Sequence, residues 1–397
     1  MKKTTSLLAA LALAFCLLAG CAGSPPEQPA ASPSPAQSQE AEKPSPSPET
    51  TPVTSPEKAE ARVLHDSYGD VTVEGDVERV ISTAPAYTVS VLLMGGADKL
   101  VGIDSNTGGN AWLLKMFPQL QDVPVVTVNG ELNLETVMDL TPDLVILTPA
   151  MQGQLERVQE LGLPVINEPV YGDDDTLLER NRDRQMYYGV AMGGESLEIA
   201  DTYEQYFNDM VDNVKSRTAA LADSERPVVL EIRSLDPLTV CNGNDRSVAQ
   251  EWITAAGGVN AAGENTQDGK SGSWEVSVEQ VLSWDPEYVV CSNTATKAAL
   301  LADAQYSGLR AVQEGKVVDM PKGLMVWGYN GPELPLFVEF AGKFIHPELF
   351  ADVDVVADAR AFYADFFGMD VSDEELQSIF FTDLPLAEYA AQTFAAE

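Results

Sequence analysis

Histidine, cysteine and basic residues are scarce in this 397-residue chain, and each scarcity argues against a class of function. The only histidines are His65 and His346, and no His/Cys/Asp/Glu cluster has the spacing of a metal site, so a bare transition metal has no evident cage. Lysine and arginine number 24 against 61 acidic residues, which gives a net charge of −37. Nucleic acid and anionic membrane surfaces are therefore poor candidates for partners, because both require a basic patch.

Motifs of common enzyme classes are also missing. There is no Gly-x-Ser-x-Gly elbow, and GENTQDGKS at 263–271 has five residues between its glycines where a phosphate-binding loop requires four. The acidic run at 173–175 lacks the glycine and glutamate of a calcium loop and instead predicts a helix start at Thr176. We therefore predict that the chain is not an enzyme.

The N-terminus has the pattern of a secretion signal. Lys2 and Lys3 precede an apolar run at 7–18 that is short for a bilayer span, so residues 1–20 are predicted to be a signal peptide. The run closes on LAGC, which resembles the lipobox of bacterial lipoproteins. That resemblance implies lipidation of Cys21 and a location outside the cytoplasm, anchored to the cell membrane by lipid alone.

Two compositional features follow the leader. Residues 21–60 are rich in Pro, Ser, Glu, Ala and Gln and can bury almost nothing, which predicts a disordered tether. Beyond Cys16 in the leader and the predicted anchor, the remaining cysteines are Cys241 and Cys291, each at the end of a β-like run. Either a disulfide or two isolated buried thiols would fit an exported protein.

One segment of the chain occurs twice. NLETVMDLTPDLVI at 133–146 recurs as SVEQVLSWDPEYVV at 277–290, with Glu135 and Glu279 in equivalent positions. The copies are too far apart for a solenoid period and predict two similar domains in tandem.

The patterns on either side of the chain's middle agree with a duplication. Short apolar runs alternate with amphipathic segments over 79–168 and again over 227–345, which predicts an α/β lobe with a parallel sheet in each half. Between them, 196–221 lacks Gly and Pro and places apolar residues on one helical face, at Tyr203, Phe207, Met210 and Val214. The predicted fold is α/β, with two Rossmann-like sandwich lobes joined by one long rigid helix and a ligand cleft between them. The domain boundaries are 61–173 for the first lobe, 174–225 for the bridge, 226–350 for the second lobe and 351–397 for a helical cap.

These features together resemble a known family. The lipobox, the doubled segment, the long bridging helix and the ending WGYNGPELPLFVEFAGKFIHPELF are similar to substrate-binding proteins of ABC importers for iron chelates, haem and vitamin B12. The resemblance implies a monomeric receptor that captures a metal chelate, most simply a ferric siderophore, and delivers it to a permease dimer with its ATPase. It also implies no intrinsic cofactor, the metal complex being cargo.

In that family an equivalent glutamate on each lobe forms salt bridges with permease arginines, which implies this role for Glu135 and Glu279. Each also stands in the first turn of a predicted helix, where a carboxylate is favourable with the helix dipole. The symmetry of the pair favours docking, since a two-fold partner can contact both at once.

Ligands of open α/β sheets bind beyond the carboxyl ends of the strands. Arg233 is the strongest candidate there, because the charged guanidinium group of an arginine directly after an apolar strand is hard to bury without a partner. Aromatic walls would complete a chelate site. The predicted ligand-binding set is Tyr87, Asn106, Met151, Tyr171, Arg233, Trp274, Trp327 and Tyr329.

Other readings stay open at this level. Haem-binding relatives place an axial tyrosine shortly before the first repeat, where this chain has Val126, Val128 and Asn129, although Tyr87 could substitute. Haem and cobalamin or another corrinoid are the alternative cargoes. A surface sensor or adhesion module without a transport partner is the alternative function.

Overall fold

The computed structural model describes residues 61–128, 130–241, 243, 247–264 and 273–395. The predicted signal peptide, the anchor at Cys21 and the tether lie outside these ranges. The same is true of Asn129. Within the described ranges, no helix is both long and apolar enough to cross a membrane.

The first lobe is built on a parallel four-stranded sheet, preceded by an antiparallel hairpin. The strand order is β4-β3-β7-β8, and every pairing in the sheet is parallel. Its central strands have the sequences VIS and LVI and are buried throughout, as expected of strands covered on both faces. The elements are β1 Arg62–Asp66, β2 Gly69–Val73, β3 Val80–Ser82, α1 Pro85–Leu93, β4 Leu100–Gly102, α2 Ser105–Gly108, α3 Ala111–Met116, β5 Thr127–Val128, β6 Glu131–Leu132, α4 Leu134–Asp139, β7 Leu144–Ile146, α5 Leu155–Gln159 and β8 Val165–Ile166.

Two consecutive helices, α6 Leu177–Met192 and α7 Glu195–Thr218, follow the first lobe. A capping box between Thr176 and Glu179 starts α6. Gly193 and Gly194, at φ 72° and 54°, make the turn into α7, a conformation that favours glycine. At 24 residues, α7 is about 36 Å long.

The long helix α7 contacts both lobes, as a bridging helix should. Near its start, Ser196 Oγ donates to Met94 O of the first lobe at 2.8 Å. At its end, Thr218 Oγ1 donates to Ala255 O in the second lobe at 2.9 Å. Of the predicted apolar face, Tyr203, Phe207 and Val214 are buried and Met210 is half-buried.

The second lobe has a mixed sheet, which corrects the prediction of a parallel one. Strand order is β12-β10-β9-β13-β14, with β11 also paired to β9. The β10 strand runs antiparallel to both neighbours because only two residues, Asp236 and Pro237, separate it from β9, and a parallel return needs a long crossover. The elements are β9 Val228–Leu235, β10 Leu238–Cys241, α8 Val248–Ala255, β11 Val259–Asn260, β12 Ser273–Glu275, α9 Val278–Trp284, β13 Tyr288–Cys291, α10 Thr294–Ala302, α11 Arg310–Gln313, β14 Val317–Asp319 and α12 Leu334–Ile345.

Three helices, α13 Val355–Phe367, α14 Asp373–Ile379 and α15 Leu386–Thr393, form the cap. Phe366 packs edge-on against Tyr203 of α7, with ring centroids 5.6 Å apart. Phe367 packs against Phe117 of the first lobe at 6.2 Å. The cap therefore contacts the first lobe as well as the second, rather than the second alone.

The repeated segment adopts the same local structure in both lobes. Asn133 caps α4 and Ser277 caps α9, each accepting a hydrogen bond from the backbone three residues later. Each helix is followed by a residue of positive φ before a proline, Thr141 at 43° and Asp285 at 42°. Agreement in an uncommon backbone conformation supports the duplication independently of residue identity.

Cys241 and Cys291 are buried and unpaired. Burial raises the pKa of Cys241 to about 12 and raises that of Cys291 as well, so both thiols stay protonated. Of the two alternatives left by the sequence, the structure has isolated buried thiols.

Candidate ligand-binding site

A cavity of about 340 Å³ lies between the lobes and is unusually rich in arginine. It is bounded by the loop after β8, by α6, by β9, by the start of α8 and by the loop after β14. The lining residues are Glu168, Tyr171, Leu177, Arg180, Arg184, Arg233, Ser247, Val248, Tyr329 and Asn330.

Larger cavities lie elsewhere. One of about 580 Å³ sits at the amino ends of the second-lobe strands, and one of about 810 Å³ lies between the end of α7 and α8. Neither combines loops from the carboxyl ends of both sheets, where ligands of such folds bind. The arginine-lined cavity is therefore the candidate site.

The second lobe contributes a cluster of Glu231, Arg233 and Tyr329. Arg233 Nε donates to Glu231 Oε1 at 2.9 Å, and Tyr329 Oη donates to the same oxygen at 3.0 Å. The guanidinium carbon lies 4.9 Å from the centre of the Tyr329 ring, within cation–π range. Glu231 is fully buried; burial raises its pKa, and the neighbouring Arg233 opposes that shift.

The first lobe and α6 contribute a second cluster of the same residue types. Arg184 Nε lies 3.2 Å from Glu168 Oε1, and Tyr171 Oη donates to Glu168 Oε2 at 3.2 Å. Burial raises the pKa of Tyr171 to about 12, so its hydroxyl stays protonated. Arg180 stands one helical turn before Arg184, with its guanidinium 5.4 Å from the Tyr171 ring.

Two donors around the cavity are without a hydrogen-bond partner among the residues that the structure describes. They are Nε of Arg180 and Oγ of Ser247, both buried atoms, whereas Nε of Arg184 has the ion-pair contact with Glu168. Ser247 is the N-cap residue of α8, yet its hydroxyl does not cap the helix. Unsatisfied buried donors are costly, and two of them around one cavity indicate a site for an acceptor-rich ligand.

Charge in the cluster region is also unbalanced. Among the described residues, Arg180, Arg184 and Arg233 stand against two carboxylates, Glu168 in the wall and Glu231 beneath it, an excess of one positive charge. An anionic ligand would supply the missing charge.

The loop that carries Tyr329 is fixed from several sides. Glu333 Oε1 accepts from the Met325 backbone at 3.0 Å and from Tyr363 Oη at 3.3 Å.

The long helices α6 and α7 hold the same loop. The side-chain amide of Asn181 on α6 donates through its nitrogen to Gly331 O at 3.2 Å and accepts through its oxygen from Gly331 N at 3.3 Å. Tyr203 on α7 donates to Pro332 O at 3.0 Å. The site is therefore preorganised on its second-lobe side.

The structure brings three of the predicted ligand residues together: Tyr171, Arg233 and Tyr329 all line the cavity. Two others are buried in packing positions outside its lining. Tyr87 is 6% exposed and donates to Asn167 Oδ1 at 2.6 Å. Trp327 is fully buried and donates to Tyr363 Oη at 3.0 Å, so it supports the loop rather than facing the cavity.

The remaining predicted ligand residues also lie outside the cavity lining. Asn106 is exposed in α2, Met151 is buried before α5, and Trp274 is half-buried in β12. Trp274 is held there by pairing with Val240 of β10.

Sequence reasoning missed Arg180, Arg184 and the buried Glu231. Arg180 and Arg184 are four residues apart, which places them on the same face of a helix. That this face turns towards the second lobe could not be predicted, because no local sequence pattern indicates it. Glu231 lies in an apolar strand two residues before Arg233, and that spacing puts both on one face of the strand.

The repeated helices present matching surfaces. Glu135 and Glu279 are exposed in the first turns of α4 and α9. Hydrogen bonds from the helix backbone and from Ser277 lower the pKa of Glu279. One turn later each helix exposes a large apolar side chain, Met138 at 46% and Leu282 at 38%.

No group of three or more His, Cys, Asp and Glu side chains that could hold a metal ion occurs in the described ranges. His65 is exposed and lies 2.8 Å from Asp70. His346 is buried, with Nε2 3.2 Å from Gly257 O, and burial lowers its pKa.

Known proteins resemble this chain over most of its length. A family model described as periplasmic binding protein matches residues 80–324. An uncharacterized ABC transporter substrate-binding lipoprotein of Bacillus subtilis, YvrC, is 24% identical, covering 89% of this chain and all of the relative. Molybdate-binding protein MolA of Haemophilus influenzae is 23% identical over 75% of this chain and 88% of its own length. A periplasmic solute binding protein structure from Veillonella parvula aligns with a TM-score of 0.69 at 28% identity, covering 81% of this chain and 97% of that one.

Proposed function

This chain belongs to the periplasmic binding protein family as a solute-binding protein of an ABC transporter, and we propose that its cargo is an anionic metal chelate, most simply a ferric siderophore. The observation that carries the proposal is the arginine-lined cavity between the lobes. Three guanidinium groups around one cavity suit the carboxylate, catecholate or hydroxamate oxygens on the outside of such a complex.

Haem and cobalamin suit this cavity less well. Charged and hydroxyl groups make up much of its wall. The faces of a macrocycle offer no acceptors to these groups, and only peripheral groups such as the two propionates of haem could pair with the arginines. The tyrosines of the wall, Tyr171 and Tyr329, already donate to glutamates.

A small oxyanion is the second candidate cargo. Compact tetrahedral anions match a small cavity with converging arginines, and MolA, a relative by sequence, is a molybdate-binding protein.

Titration of the full-length chain in detergent distinguishes the cargoes. Tryptophan fluorescence and native mass spectrometry would follow binding of ferric siderophores, haem, cobalamin and sodium molybdate. We expect saturable 1:1 binding of at least one ferric siderophore. Binding of haem or cobalamin alone, or of no compound in the panel, would contradict the assignment.

We further propose that the receptor is tethered through lipidated Cys21 and docks through Glu135 and Glu279. Met138 and Leu282 lie on the same faces and would bury apolar area against the partner, while the carboxylates orient the encounter. A Cys21→Ser variant should leave the membrane fraction and fail to incorporate labelled fatty acid. If the protein acts as a sensor or adhesion module instead, deleting it would leave cargo uptake unchanged.

A further inference from the structure

The buried carboxylate of Glu231 is an unexpected feature beneath a site for an anion. It is fully buried on β9, and only one of its oxygens has hydrogen-bond partners among the described residues. Cys241 and Cys291, both protonated thiols, lie near it and offer no charge. Burying a carboxylate costs free energy that pairing seldom recovers, so this residue does not serve stability alone.

The contacts of Glu231 fix the direction of Arg233. Its Oε1 accepts Nε of the arginine, and Tyr329, which donates to the same oxygen, places its ring against the guanidinium. With Nε engaged and the side chain 22% exposed, the terminal nitrogens are the part of the fork left for a ligand.

Glu231 also subtracts a charge from the site. Without it, the described wall of the cavity would hold three arginines against Glu168 alone. With Glu231, the excess is one positive charge. Because the protein interior has low polarizability, this difference in charge strongly changes the electrostatic interaction with a bound ligand.

We propose that Glu231 is a positioning residue that aims Arg233 and sets the charge preference of the site, so that the preferred cargo presents a net charge of −1 to the cavity. This inference rests on the proposed function and names its substrate class: ferric complexes with a single net negative charge. Neutral complexes would leave one arginine unpaired, and trianionic complexes would bury excess negative charge.

The test compares ferric complexes that differ in charge. We would measure dissociation constants for a neutral ferric trihydroxamate, for a trihydroxamate complex carrying one free carboxylate and for a trianionic ferric tris-catecholate. The wild-type chain should bind the monoanion most tightly. In E231Q, the affinity for the trianion relative to the neutral complex should rise about tenfold, since one unit of negative charge has left the site.

Three matched variants separate charge from packing. E168Q removes the same charge from a partly exposed position, so solvent screening should reduce the shift to about threefold. Tyr329→Phe breaks the hydrogen bond to Glu231 without changing charge and should leave the preference intact. E231D keeps the charge with a shorter reach, so it should retain the preference while weakening all three complexes. The Tyr329→Phe and E168Q measurements also test the charge model if E231Q does not fold.

Each outcome is decisive. Equal changes for all three complexes in E231Q would reduce Glu231 to a packing role and overturn the inference. Preferred binding of the neutral complex by the wild type would overturn it too, while the receptor function would stand. Failure of the wild type to bind any complex would remove the chelate cargo itself, and this inference with it.

Discussion

The two lobes have closely similar helices in the repeated segment but differ in how they build the candidate ligand site. Glu135 and Glu279 occupy matching helix starts, with matching caps and matching exposed apolar neighbours. The Glu-Arg-Tyr clusters, by contrast, have inverted burial. In the first lobe the arginine side chain of Arg184 is 11% exposed and Glu168 is 27% exposed, whereas in the second Glu231 is inaccessible and Arg233 is 22% exposed.

The inverted burial indicates that the two arginines have different roles. Arg233 is the accessible cation with a hidden counter-ion, so it is suited to meet the ligand directly. Arg184 is the more enclosed cation, and its accessible carboxylate shares the cavity wall. The repeated helices are therefore alike in the two lobes, while the walls of the candidate cavity differ.

The largest effect is expected at the symmetric surface. Reversing both charges, with E135K and E279K together, should abolish uptake of the bound cargo while leaving its dissociation constant unchanged, because two repulsive contacts replace two attractive ones. Either single change should reduce uptake by a similar factor if the partner is two-fold symmetric. Met138→Gln and Leu282→Gln remove the neighbouring apolar contacts and should also reduce uptake; Leu301→Gln, an exposed apolar position outside the repeat, is their matched control. Unimpaired uptake by the double variant would return both glutamates to the role of helix starts.

Unequal effects are expected at the clusters. Arg233→Lys should weaken cargo binding about a hundredfold, because a lysine cannot reproduce a fork that bonds Glu231 and the ligand at once. Arg184→Lys should cost about tenfold, since its contribution is less direct. Isothermal titration with the same ferric complex would measure both. Equal losses would show that the inverted burial has no consequence for binding.

The stabilisation that Glu333 gives to the loop carrying Tyr329 should depend on pH. Burial raises the pKa of Glu333 from its ordinary value of 4.5 to about 7. An acid whose pKa is higher in the folded state binds its proton more tightly there, so the free energy of unfolding should fall as pH rises from about 4.5 to about 7 and level off above. This one group would contribute up to about 3 kcal/mol of that fall. Urea unfolding across this pH range should show that the free energy of unfolding of Glu333→Gln depends less steeply on pH than that of the wild type. An equally steep dependence would assign the effect to other groups.

A smaller effect should arise where the lobes join at α6. Glu251 of α8 accepts from the backbone nitrogens of Leu177 at 2.5 Å and Leu178 at 2.7 Å, which satisfies the first turn of the helix that carries Arg180 and Arg184. Glu251→Ala should lower the free energy of unfolding by about 1 kcal/mol, as for loss of a helix cap, and weaken ligand binding slightly. Glu179→Ala, which removes the exposed capping-box partner of the same helix, is the control and should cost less. A larger loss from Glu179→Ala would assign the helix start to the local box alone.

The lobes, the long helix and the repeated segment could be predicted from the sequence because their patterns are local. Apolar periodicity places Tyr203, Phe207 and Val214 on one face of α7, and the two repeats contain their own caps and proline stops. The mixed sheet could not be predicted in the same way. The sequence of a short strand such as β10 does not indicate whether the strand pairs parallel or antiparallel. Its direction depends on the length of the connection to β9 rather than on composition.

The ligand site shows the same limit. Arg233 was identifiable because a charge at the end of an apolar strand needs a partner, but aromatic residues carry no comparable signal, and Trp327 and Tyr87 proved to be buried behind the site. Arg180 and Arg184 look like ordinary helix-surface arginines in sequence. What the sequence by itself determined is the duplicated two-lobed architecture and its matched glutamates, since hydrophobic period, caps and repeats act over a few residues at a time. What only the tertiary structure decided is which charges converge, because Glu168, Arg184 and the Glu231–Arg233 pair of β9 come from three separate parts of the chain and meet only when both lobes pack against the same pair of helices.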